Sequence, residues 1–112
     1  TNGGLTYVLP DPTSGTITRD GVTVSRVLYV GVNGTLRVAG GEPVNDSGVY
    51  RSNDGGATWV RLTLPPGADG KIADHSPWRA GIDSEGTFWG TVNGRLVRVA
   101  RGEEALTPLT TI

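Results

Sequence analysis

The sequence predicts an all-β chain built from antiparallel strands. Its 18 glycines and 7 prolines are spread along 112 residues, and no apolar stripe at helical spacing survives between them for long enough to pack a helix. Short β-branched and aromatic runs, bounded by turn residues, recur instead at close spacing, the mark of hairpin-joined strands.

Four runs form a first set: LTYVLPD at 5–11, RVLYVGV at 26–32, GVYRSN at 48–53 and TWVRLT at 58–63. A second set follows, with WRAGIDS at 78–84, GTFWGTV at 86–92, RLVRVA at 95–100 and LTPLTTI at 106–112. The sets align. Each opens with a strand that ends in an acidic turn, DPTSG at 11–15 and DSEG at 83–86, and continues through a Gly-bearing strand to a VNG triplet, at 32–34 and 92–94. The chain therefore reads as a repeated four-stranded unit, the pattern of propeller blades. Residues 1–66 form the first unit, with an irregular insert, TLRVAGGEPVNDS, at 35–47 in that copy only; 67–77 is a linker and 78–112 the second unit. Such an insert on a rigid scaffold is where a binding function tends to lie. About two blades fall short of the four to eight at which propellers close. Three arrangements stay open: a part of a larger propeller, an assembly of several copies, or two sheets packed as a small sandwich.

Composition narrows the partners. A net charge of -1 with scattered Lys and Arg offers no basic face for nucleic acid. The absence of Cys removes disulfides, thiolate metal sites and a cysteine nucleophile. No apolar run approaches the ~20 residues of a membrane helix, so no membrane partner is expected. A start at Thr1 rather than Met suggests a processed or partial polypeptide.

The most specific stretch is SNDGGATW, from Ser52 to Trp59. Glycines at 55 and 56 allow the positive φ of a tight reversal, Asp54 can accept hydrogen bonds from turn N–H groups, and Ser52 and Thr58 can tie the flanks. Trp59 is expected to drop its ring into the core between sheets. A lone Asp with no second carboxylate or His fixed beside it by spacing is a poor acid–base device, so the stretch reads as a structural turn. His75, beside Asp74, reads as a solvated loop histidine, and no metal site or cofactor is expected. Trp78 and Trp89 offer flat rings for carbohydrate contact, although blade cores use large aromatics in the same positions. Glu85, Glu103 and Glu104 read as solvated turn residues. Asn33-Gly34-Thr35 and Asn45-Asp46-Ser47 fit the N-glycosylation pattern, which carries meaning only in a eukaryotic secretory protein.

Ser52, Asp54, Gly56, Thr58 and Trp59 fill every defining position of the S-x-D-x-G-x-T-W Asp-box. That repeat is found in sialidases, sortilin-type receptors, photosystem assembly factors and the xyloglucanase-type glycoside hydrolases of family 74. The order DPTSG, LYVGV, GVYRSNDGGATW, then PPG and WRAGIDSEGTFWG, most resembles family 74 over most of the chain, although only the Asp-box segment is sharp. The resemblance implies a secreted, two-propeller enzyme that hydrolyses β-1,4-glucans with inversion, using two aspartates in segments of the DIGG and DVGG kind. Neither segment occurs here, so no catalytic residue is carried over and the chain is expected to be inactive by itself. It leaves a scaffold and polysaccharide-cleft wall as the first expectation. The alternatives are a non-enzymatic glycan- or protein-binding propeller and a self-assembling structural subunit.

Overall fold

A computed structural model describes residues 4–33, 36–39, 42–45, 47–64 and 77–111. None of these lies in a helix. The described residues form twelve strands: β1 (Gly4–Pro10), β2 (Thr16–Arg19), β3 (Val22–Ser25), β4 (Leu28–Asn33), β5 (Leu36–Ala39), β6 (Glu42–Asn45), β7 (Gly48–Ser52), β8 (Val60–Leu62), β9 (Pro77–Ile82), β10 (Phe88–Val92), β11 (Arg95–Val99) and β12 (Thr107–Thr111). They build two four-stranded antiparallel sheets, in the orders β1-β4-β7-β8 and β9-β10-β11-β12, with two separate hairpins, β2-β3 and β5-β6. The described residues thus give two sheets and not a closed propeller.

Both hairpins depart from the sequence reading. Within the 35–47 insert, read as irregular, Leu36–Ala39 pairs in register with Glu42–Asn45. The first unit also carries a second insert, at 16–25, to which the sequence reading assigns no strand. Thr16↔Ser25 through Arg19↔Val22 pair across Asp20 and Gly21, which have φ of 51° and 78°. Asp-Gly between alternating residues is among the strongest hairpin signals.

The repeat is visible in the registers. Tyr29↔Arg51 and Gly31↔Val49 in the first sheet correspond to Trp89↔Arg98 and Thr91↔Leu96 in the second. The turns after β1 and β9 share their bonding as well. In each, the aspartate carboxylate accepts the N–H two residues on, and its carbonyl accepts the N–H three residues on: Thr13 and Ser14 for Asp11, Glu85 and Gly86 for Asp83. The Asp11 N–H then donates to the Val27 carbonyl and the Asp83 N–H to that of Thr87. The β2-β3 hairpin is spliced into the first of these two otherwise equivalent turns.

The sheets pack face to face. Strand alternation sends Tyr7, Leu9, Tyr29, Val49 and Leu62 to the inner face of the first sheet, where they meet Phe88, Val92, Val97 and Val99 of the second, with Leu106 closing one edge. Tyr29 and Phe88 stack with ring centroids 4.8 Å apart, and Tyr7 lies 6.2 Å from Phe88. Polar bonds fasten the rim. The Leu106 N–H donates to the Thr63 carbonyl at 3.0 Å, buried Arg51 donates to the Glu103 carbonyl, and Arg101 donates to the Thr13 hydroxyl.

Gly31 shows how tightly the inner face is filled. It pairs with Tyr7, whose ring lies across it, and a Cβ there would stand 2.5 Å from a ring carbon. Gly31→Ala is expected to lower stability by about 1–3 kcal/mol, the usual cost of overpacking, as read from the urea midpoint. Tyr7→Leu in the same chain should recover part of that loss. Two costs that simply add would show that the ring and the glycine do not interact.

Candidate functional site

The Asp-box turn joins β7 to β8 and is closed by its own side chains. The Ser52 hydroxyl donates to Asp54 Oδ1 at 2.7 Å and accepts the N–H groups of Asp54 and Gly56. Thr58 donates its N–H to Asp54 Oδ1 at 2.9 Å and its hydroxyl to Oδ2 at 2.6 Å. The indole N–H of Trp59 reaches the Gly56 carbonyl at 3.1 Å. Both carboxylate oxygens of Asp54 are therefore engaged inside the turn. The Thr58 hydroxyl most of all, then the Thr58 N–H and the Ser52 hydroxyl, hold the Asp54 carboxyl well below the usual range. An acid so stabilised as its anion is a poor proton donor or base near neutral pH.

Residue 55, a variable position of the motif, is glycine here for a tertiary reason. Its φ is 72°, and a Cβ would stand 2.6 Å from Ile17 Cγ2 and 2.9 Å from Val24 Cγ2. The β2-β3 hairpin thus lies on the Asp-box turn, and Arg19 donates to the Gly55 carbonyl at 2.9 Å.

The corresponding turn of the second sheet has the same length and other residues. From the Arg51↔Val60 and Arg98↔Thr107 pairs, Gly55 matches Gly102, Gly56 matches Glu103 and Trp59 matches Leu106. Gly102 keeps a positive φ of 88°, and the Glu103 carboxylate closes the turn by accepting the Ala100 N–H at 2.8 Å. This match exposes an error in the expectation for Trp59. Leu106 is buried in the inter-sheet core, whereas Trp59 is 41% exposed and lies on the outer face of the first sheet. Its position falls on the side of the strand opposite Arg51 and Tyr29, so it cannot turn inward.

Trp78 is 69% exposed on β9. Trp89 is half-buried, and its indole N–H donates to Asp83 Oδ2 at 2.9 Å. That bond first, then the Thr87 N–H, lowers the Asp83 carboxyl pKa. The two rings are therefore differently disposed: one stands exposed, and the other belongs to the β9–β10 turn. His75 and Asp74, the 67–76 part of the linker, and Gly34, Thr35 and Asp46 of the glycosylation patterns lie outside the described residues. Among the described residues, no group of three His, Cys, Asp or Glu side chains is placed to hold a metal ion.

Two hollows remain. A polar one of about 300 Å³ opens at the turn end between the sheets, lined by Asp11, Tyr29, Arg51, Asn53 and Arg101 among others. Asp11 and Arg51 are both buried there. Sequence reasoning did not find this cluster, since Asp11, Asn53 and Arg101 come from three separate turns and Tyr29 and Arg51 from two strands; the one hint is that Arg51 and Arg98 share a position in the repeat. The second hollow, about 540 Å³ and almost wholly apolar, lies on the outer face of the first sheet over Leu5, Val8, Leu28, Val30, Tyr50 and Trp59.

No family model, curated protein or solved structure matches the chain.

The acid limb of stability should report on the turn. A carboxyl with a depressed folded pKa contributes stability that is complete above its unfolded value, near about 3.9, and is lost as pH falls through the folded value. The melting temperature of the parent should therefore fall through the acid range. At neutral pH, Asp54→Ala should melt lower than the parent and Asp54→Asn between them, because the amide oxygen keeps part of the bonding. The gap between parent and Asp54→Asn should narrow as pH drops. Curves that stay parallel from neutral to acid pH would remove the carboxylate from this role.

Proposed function

We propose that the chain is a section of a secreted Asp-box β-propeller resembling the family 74 glycoside hydrolases, serving as scaffold and polysaccharide-cleft wall without a catalytic residue of its own. The observation that supports this most is the tandem arrangement. Two four-stranded meanders with equivalent registers and equivalent aspartate turns stack face to face, and the first carries the Asp-box between its third and fourth strands. A blade-like unit of this kind buries one face against its neighbour and offers loops at both ends of its strands.

A non-enzymatic glycan-binding module is the second reading, and one feature favours it. Trp78 presents an exposed ring, while the carboxylates of Asp54 and Asp83, both lowered in pKa by hydrogen bonds, are each occupied by their own turn. A flat apolar ring beside polar groups suits the face of a pyranose, and neither aspartate is left to take part in the acid–base pair that glycoside hydrolysis requires.

Soluble xyloglucan oligosaccharides separate the readings. Calorimetric titration of the chain should show weak binding that Trp78→Ala reduces several-fold, and Trp89→Ala should act mainly by lowering the melting temperature, through loss of the Asp83 bond. No new reducing ends should appear on prolonged incubation. Release of reducing ends would make the chain an enzyme and refute the scaffold role. An absence of binding by the parent would remove polysaccharide from both readings.

A further inference from the structure

Among the described residues, the outer face of the first sheet carries an apolar hollow with buried Val30 at its floor and an exposed rim. Leu5 is 66% and Val8 50% exposed, and both stand beside Trp59 at that rim. A face of this kind calls for a partner surface, and the molecule already contains a template for it.

Register identifies the template. Leu28, Val30 and Val32 of β4 correspond to Phe88, Gly90 and Val92 of β10, Val8 corresponds to Ala80 and Tyr50 to Val97, because each set pairs identically within its own sheet. Every one of those second-sheet positions lies on the face that packs against the first sheet. Trp59 likewise corresponds to Leu106, which is buried at the same junction. The face that carries the hollow is thus the same face, one unit earlier in the chain, as the face that the second sheet buries.

The opposite half of the junction is also repeated. On the first sheet it includes Tyr29, Val49 and Arg51 beside Tyr7, Leu9 and Leu62, and on the outer face of the second sheet the positions of the first three hold Trp89, Leu96 and Arg98, while that of Leu9 holds Gly81. Arg51 is 4% exposed and donates to the carbonyl of Glu103 in the β11–β12 turn. Arg98 is exposed. The carbonyl that corresponds to Glu103 is that of Gly56, in a turn of equal length, on the first sheet.

We propose that the outer face of the first sheet seats the outer face of the second sheet of another copy of this chain, so that copies join head to tail and repeat the junction inside each copy. Arg98 of one copy then reaches the Asp-box turn of the next, as Arg51 reaches the β11–β12 turn, and Trp59 takes the place that Leu106 fills within the chain. The contact is heterologous: it uses two different faces, and its repetition closes a ring or extends a fibre according to the rotation per step. It rests on reading the two sheets as repeats, as the proposed function does, and is independent of any polysaccharide role.

The test uses the 112-residue chain and two variants altered at exposed positions, with circular dichroism to verify their folding. Leu5→Asp with Val8→Asp blocks the first face, and Arg79→Glu with Arg98→Glu blocks the second. If the first pair disturbs folding, Val8→Lys alone replaces it. Light scattering after size exclusion should give the parent a mass well above 11.7 kDa that rises with concentration or settles at a fixed ring. Each variant alone should be monomeric, and an equimolar mixture should form a one-to-one dimer, since one intact face of each kind remains. A monomeric parent overturns the proposal while leaving the blade-section reading intact. So does a second-face variant that still associates like the parent, which would mean that the apolar face pairs with itself, or a mixture that stays monomeric.

Discussion

The structure depends on the junction between its two sheets, and within it on the stack of Tyr29 against Phe88. A four-stranded sheet with one apolar face cannot shield that face by itself. Here the faces are joined through two rings at 4.8 Å, with Tyr7 beside them. The close approach of Tyr7 to the sheet needs Gly31 across from it. Remove the junction and each meander is left as an isolated sheet with a wet core, near the limit at which such units hold together. The rim bonds from Arg51 and Leu106 then fix how the second sheet is set on the first.

The same unit is built twice with different chemistry at one corner. In the first copy, Ser52, Asp54 and Thr58 satisfy the turn through a carboxylate enclosed in donors. In the second, a turn of the same length is closed by Glu103 across its base. The backbone path is common to both, as the positive φ at Gly55 and Gly102 shows, so the Asp-box is one solution to a constraint set by the strands. What the first copy adds is a hairpin, β2-β3, resting on Gly55 through Ile17 and Val24. That contact ties the turn to a part of the chain far from it in sequence and gives it a second support besides its own hydrogen bonds.

All eight strands of the two sheets were legible in the sequence, because each is a short β-branched or aromatic run between turn residues, and the sheets bury one face of such runs. The repeat was legible for the same reason, through the VNG triplets and the acidic turns. The two hairpins were not read. TITR and VTVS pair only with each other, and their alternation of Thr with apolar residues carries little hydrophobic signal, although Asp20-Gly21 between them was a local sign. The polar hollow was invisible, since Asp11, Asn53 and Arg101 come from turns that converge only when the two sheets stack.

By itself, the sequence determined where the strands of the two four-stranded sheets lie, that they pair with neighbours, and which residues close the turn at 52–59, because all of these follow from alternation and from hydrogen bonds made within a few residues. It could not determine the direction of Trp59. A ring on a half-apolar sheet can face either neighbour, and only the register of β7 with β4 and β8, together with the side on which the second sheet packs, turned Trp59 outward and Leu106 inward. The tertiary structure likewise decided that Trp89 is held by Asp83 while Trp78 stands exposed. The reason is common to both cases: alternation fixes which residues share a face, and packing between sheets decides which face is covered.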